Sequence, residues 1–157
     1  EVNVKVKLDA GDYKLKVYSS NYGKESDWTN DDKGAPVYYK EQSFSIKAGE
    51  TCFLTVKVPM LVYAVQLTLP ESFSEWFPTY TFTVTSGTRA VTLKAGEIAY
   101  FSYNSGTTFA YKLTMQNTDG EEQSKEGTYG TDQVVQQGHL YDVNYSLVNQ
   151  TLSAFGD

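Results

Sequence analysis

A 157-residue chain with one histidine, one cysteine and 19 acids offers few side chains that could do chemistry. His139 directly follows Gly138 and reads as a residue at a strand edge. A Ser-His-Asp arrangement would have to use it, but no Gly-x-Ser-x-Gly elbow supplies the serine. Cys52 alternates with Leu54 and Val56, so it is expected to be a small buried hydrophobe and not a nucleophile. A single cysteine also excludes an intrachain disulfide and a cysteine-built metal site. Asp27, Asp31 and Asp32 share an oxygen-rich stretch with Gly34, the kind of segment calcium uses. Their spacing departs from an EF-hand loop: Asp32 stands where the turn glycine belongs, and Tyr38 where the closing glutamate belongs. The expectation is a solvated acidic loop. No catalytic, cofactor-binding or metal-ligating residue is assigned, and the chain reads as non-enzymatic.

Aromatic residues remain, 13 of them tyrosine. Trp28, Tyr38 and Tyr39 flank a polar stretch at 19–36, and Trp76 lies in a short apolar-acidic stretch at 70–78. Exposed aromatic rings stack on the apolar faces of sugars, so these four are the ligand-binding candidates. The competing reading makes them core residues or loop anchors. The formal charge of −6 opposes a phosphate backbone, which argues against nucleic acid as a partner. It disfavours an anionic membrane surface for the same reason. The longest apolar run, Met60 to Val65, falls far below the roughly 18 residues that span a bilayer.

These side chains must be positioned by strands, because period-two alternation dominates the sequence. Val2, Val4, Val6 and Leu8 share one face. After Asp9-Ala10-Gly11, Tyr13, Leu15 and Val17 share another, which predicts a hairpin with Gly11 in its bulge. Phe44 and Ile46 lead through Lys47-Ala48-Gly49-Glu50 into Cys52, Leu54, Val56 and Val58. Val91 and Leu93 lead through the same four residues at 94–97 into Ile98, Tyr100 and Phe101. Gln136-Gln137-Gly138-His139 is a looser copy ahead of Tyr141, Val143, Tyr145 and Leu147. Further strands are expected at 62–69, 79–86 and 109–116. Pro70 and the acids after it suit one or two helical turns, with Phe73, Trp76 and Phe77 on one side. The repeated turns suggest an internal duplication. Its seam falls near Val58-Pro59, since proline marks strand starts and edges. The sequence therefore divides into one β-sandwich module at 1–58 and a second at 59–157. The first is short for a sandwich, which leaves room for its first strands to lie upstream. Residues 140–147 are expected to close their own sheet, with 150–157 as a frayed tail, giving a monomer in solution.

Leu8-Asp9-Ala10-Gly11-Asp12-Tyr13, Phe44-Ser45-Ile46-Lys47-Ala48-Gly49-Glu50-Thr51 and Pro36-Val37-Tyr38-Tyr39 together resemble a family of Bacteroidales surface lipoproteins labelled cell-adhesion or fimbrillin-like. Tyr80-Thr81-Phe82-Thr83-Val84 fits the second module of that family. The resemblance implies an all-β fold of tandem antiparallel β-sandwich modules, immunoglobulin-like or transthyretin-like. It also implies an outer-membrane location through a lipid anchor upstream of this segment, and no enzymatic activity. The expected function is a cell-surface structural or adhesion module that presents the 19–36 loop from a rigid scaffold to a surface protein or glycan. Its alternatives are a carbohydrate-binding module and a fimbria-like subunit that exchanges strands.

Overall fold

The computed structural model describes residues 3–156. Its strands are β1 (Gly11–Tyr18), β2 (Tyr39–Ile46), β3 (Tyr63–Thr68), β4 (Thr79–Ser86), β5 (Arg89–Leu93), β6 (Ile98–Phe101), β7 (Phe109–Gln116), β8 (Glu122–Tyr129), β9 (Leu140–Ser146) and β10 (Thr151–Gly156). A single-turn helix, α1 (Phe73–Trp76), and a 3-10 turn at Glu25–Asp27 complete the set. The all-β reading therefore holds.

Two four-stranded sheets, β10-β9-β3-β6 and β5-β4-β7-β8, pack face to face as a sandwich. Alternation decides which side chains go inward. On β4, Phe82 and Val84 are buried, and the register sets them beside Leu93 and Val91 of β5 and beside Leu113 and Tyr111 of β7. The facing sheet contributes Val65 and Leu67 of β3, Phe101 of β6, and Tyr141, Val143 and Tyr145 of β9. The turn at Lys94–Glu97 carries the chain from one sheet to the other; Gly96 sits there at φ +84° and donates its N–H to the Leu67 carbonyl at 2.9 Å. β3 runs parallel to β9, so one pairing departs from the antiparallel expectation. Parallel neighbours need a long crossover, which here is everything from α1 to β8. α1 and the residue after it cover one end, with Phe73 and Phe77 edge-on to Tyr145 at 5.5 and 6.2 Å.

Aromatic rings fill the middle of this core. Phe109 lies within 6.1 Å of Tyr63, Tyr111, Tyr129 and Tyr141. Tyr63 is fully buried and donates its hydroxyl to Ser86 Oγ at 2.6 Å. Burial pushes its phenol up to about 12 from 10, against smaller opposing pulls from Ser86 and Arg89. A raised folded-state pKa stabilises the fold below the unfolded value and loses that stability as pH climbs through the folded one. Unfolding free energy should therefore drop by about 2–3 kcal/mol between pH 10 and pH 12. Burial raises Tyr111 and Tyr145 in the same direction. Urea titrations across that range check this, and Tyr63→Phe should remove the largest share of the loss. An unchanged slope in that variant would refute the assignment.

Residues 3–58 contribute one two-stranded sheet, β1 paired antiparallel with β2. Tyr13 stacks on Phe44 at 5.6 Å on one face, and Lys14 bridges Glu41 at 3.1 Å on the other. Several expectations fail in this region. The hairpin between 2–8 and 13–17 does not form: Gly11 already belongs to β1, opposite Ile46, and residues 3–8 have no strand partner. Val2 lies outside the described residues. Cys52 to Val58 is likewise no strand, and Cys52 is exposed instead of buried. Alternation shows which residues could share a face, but burial also needs a partner strand. At the other end, 151–156 is no frayed tail. It pairs with β9 as β10, and Leu152 and Ala154 pack on the core.

Candidate functional site

Three tyrosine rings gather where the β1–β2 sheet meets the sandwich. Tyr18 ends β1, Tyr39 begins β2, and the register sets them directly opposite, so both rings leave the same face. Ser19 then ties the strand ends together. Its N–H donates to the Tyr38 carbonyl at 3.1 Å, and its Oγ accepts from the Tyr38 N–H at 3.0 Å. A turn follows, in which the Tyr22 N–H donates to the Ser19 carbonyl at 3.0 Å. This turn folds Tyr22 back onto Tyr39, where the rings stack at 4.5 Å and 16°. Tyr18 lies 5.9 Å from Tyr22. Tyr18 and Tyr22 are exposed and Tyr39 is half-buried beneath them.

Charged groups extend the cluster along the same face. The Tyr39 hydroxyl donates to Glu41 Oε2 at 2.8 Å, and Glu41 Oε1 meets Lys14 Nζ at 3.1 Å. The hydrogen bond to Glu41 raises the Tyr39 phenol, while Tyr39 and Lys14 hold the Glu41 carboxyl below its usual range. The corner thus offers three phenol rings, one of them hydrogen-bonded to a carboxylate that is also paired with Lys14. Such a surface can stack on an apolar ring face and hydrogen-bond the hydroxyls around it.

The sequence candidates scatter. Tyr39 belongs to the cluster. Tyr38 neighbours it in sequence, bridges to Met60 and is 40% exposed. Trp28 is elsewhere and half-buried: the Arg89 guanidinium lies 5.0 Å from its ring centroid, and Gly34 packs against it so closely that a Cβ would sit 3.1 Å from the ring. Trp76 is 64% exposed on α1, which follows the opposite end of β3. Sequence reasoning passed over Tyr18, Tyr22 and Glu41. The usable signal was parity, since Tyr18 falls out of step with Tyr13, Leu15 and Val17 and so must face the other way.

Two of the three acids that could have bound calcium accept from backbone instead. Asp31 Oδ1 accepts from the Thr92 N–H at 3.0 Å, and Asp32 Oδ1 accepts from the Gly34 N–H at 3.0 Å. Among the described residues, no group of three or more His, Cys, Asp and Glu could hold a metal ion. His139 is partly buried, and its carbonyl accepts from the Ala64 N–H at 2.9 Å.

A family model described as a domain of unknown function, DUF4493, matches residues 1–156, nearly the whole chain. The chain belongs to the DUF4493 family. No curated protein and no solved structure matches it. DUF4493 membership assigns no ligand, so the tyrosine corner stands on its own geometry.

Proposed function

We propose that this DUF4493 chain is a non-enzymatic cell-surface adhesion module, and that the Tyr18–Tyr22–Tyr39 corner is its ligand-facing surface, suited to a glycan. The observation that carries this reading is the exposed Tyr22 ring stacked on Tyr39 at 4.5 Å beside the Glu41–Lys14 pair. Rings held parallel by a turn and a strand register are preorganised, so little entropy is lost when a sugar docks. The resemblance to Bacteroidales surface lipoproteins supports a location at the outer membrane, reached through a lipid anchor upstream. The scaffold role differs from free loop presentation. Residues 28–34 are fastened to the sandwich, while the turn at 19–22 carries the aromatic surface.

A glycan array tests the proposal. Wild-type protein should retain a subset of glycans, and Tyr22→Ala should weaken that retention at least 10-fold with an unchanged melting temperature. Trp76→Ala serves as the comparison and should leave retention intact. Wild-type indifference to the whole array, or equal loss in both variants, would sink the reading.

A further inference from the structure

Four strands end the two sheets of the sandwich, and each is covered along part of its edge. Residues 30–33 occupy the edges of β5 and β6. The Asp31 N–H donates to the Ala90 carbonyl at 2.9 Å, and Asn30 Oδ1 and Asp31 Oδ1 accept from the N–H groups of Ala90 and Thr92. The Tyr100 N–H donates to the Lys33 carbonyl at 2.7 Å. On the opposite side, β8 and β10 lie against one another. The far edge of β2 is closed at its base, where the Tyr39 N–H donates to the Pro59 carbonyl and Tyr38 bridges to Met60. β1 is different. Among the described residues it pairs with β2 alone.

The open edge of β1 has a definite pattern. Ser19 directs its N–H to the Tyr38 carbonyl, so in this antiparallel ladder the odd-numbered residues of β1 turn their backbone groups toward β2. Asp12, Lys14 and Lys16 therefore turn theirs away, and all three residues are exposed. Unpaired edges of this kind recruit further strands. The sheet also gains from accepting one. Two strands alone are marginally stable, and Tyr13, Leu15, Val17, Phe44 and Ile46 on its apolar face are only half-buried.

We infer that β1 is the interface with a second copy of this chain, whose own β1 pairs with it antiparallel across a two-fold axis at Tyr13. Charge selects that register. It sets Asp12 opposite Lys14 of the second copy, and symmetry makes the pair twice. Sliding the strands by two residues brings two Asp12 side chains together in one direction and two Lys14 side chains in the other. Like charges directly opposite destabilise a sheet. On the polar face Lys14 then stands between Glu41 of its own chain and Asp12 of the second copy, an acid already held by Ser45 Oγ at 2.6 Å. On the apolar face Tyr13 meets its own copy in a non-hydrogen-bonded pair, where side chains lie closest. Phe44 stacks on Tyr13 at 5.6 Å, so four rings form one ladder across four strands. β9 and β10 still close their own sheet, and no strand is exchanged. The two-fold relation leaves both tyrosine corners on one face of the joined sheet, roughly 34 Å apart along the strands. The dimer does not depend on what those corners bind.

Sedimentation of the 157-residue chain from micromolar to millimolar concentration tests the assignment. The wild type should pass from monomer to dimer and stop there, because a two-fold contact closes on itself. Asp12→Lys and Lys14→Asp each set like charges opposite one another, so each should weaken dimerisation at least 10-fold. Near-ultraviolet circular dichroism of both variants checks that the aromatic core is intact. An equimolar mixture of the two should dimerise again, since opposite charges then meet at both pairs. A wild type that stays monomeric up to millimolar concentration would overturn the inference. So would open-ended polymers, single variants that dimerise like the wild type, or a mixture of folded variants that remains monomeric.

Discussion

Replacing Phe109 with alanine should destabilise the sandwich by about 3–5 kcal/mol, the usual cost of emptying a fully buried aromatic site. Phe109 is 0% exposed, and its neighbours come from both sheets: Tyr111 on its own strand and Tyr129 on β8, with Tyr63 and Tyr141 opposite. Four rings around one vacancy cannot collapse together. Tyr63 is tethered to Ser86 through its hydroxyl, and the Tyr141 hydroxyl oxygen accepts from the Gln136 N–H at 2.6 Å. Phe109→Leu should cost much less, since most of the volume stays. Chemical denaturation of both variants measures the difference. A loss under about 1 kcal/mol for alanine, or equal losses for the two, would show that the core relaxes around this position.

Arg89→Met should cost about 3 kcal/mol and release the 28–34 segment, because Arg89 fastens that segment to the sandwich. Its guanidinium lies 4.6 Å from the Phe101 ring centroid and 5.0 Å from that of Trp28. It donates to the Tyr100 carbonyl at 2.5 Å, to the Thr29 carbonyl at 3.3 Å and to the Asp32 carbonyl. Burial lowers its pKa, against Asp32, which holds the proton on. Methionine keeps the apolar stem but removes the donor to the Tyr100 and Asp32 carbonyls, while the Thr29 carbonyl keeps the Asp32 N–H at 3.2 Å. The local signature should exceed the global one: Trp28 fluorescence should shift red, and the Asp31 amide, bonded to the Ala90 carbonyl at 2.9 Å, should exchange faster. Unchanged emission and unchanged exchange would mean that Asn30, whose Oδ1 accepts from the Ala90 N–H at 2.9 Å, and Asp31 hold the segment without help.

Strands with an apolar inward face alternating with a polar outer one were readable residue by residue. Thr79–Ser86 and Phe109–Gln116 match the expected 79–86 and 109–116, because Phe82, Val84, Leu113 and Met115 mark the inward face without ambiguity. β8 was not legible as a strand. Its sequence, Glu-Gln-Ser-Lys-Glu-Gly-Thr-Tyr, has almost no apolar residue, and Gly127 gives up its own side chain so that the Tyr111 ring can lie over it. Residues 3–8 and 51–58 show the opposite error, with good alternation and no partner to make it a ladder. Within the candidate site, Tyr39 was legible as an aromatic at a loop boundary. Tyr22 was not, since its place depends on a turn closed by Ser19. The role of Trp28 depends on Arg89, 61 positions away, which no local pattern announces.

The strand order also fixes how the sandwich would carry a pulling force. Gly156 pairs with Tyr141, and Val65 pairs with Tyr141 from the other side, so the start of β3 and the end of β10 sit at one end of the same sheet. They are separated by two strand spacings, roughly 10 Å. Tension applied between Tyr63 and Gly156 therefore acts across the ladder and not along it. Hydrogen bonds between β10 and β9 would then open in succession, like the teeth of a zipper. A shearing geometry would instead break them all at once. Held by those two points, this sandwich yields gradually under load, and a surface attachment built from it would give way strand by strand before its core is breached.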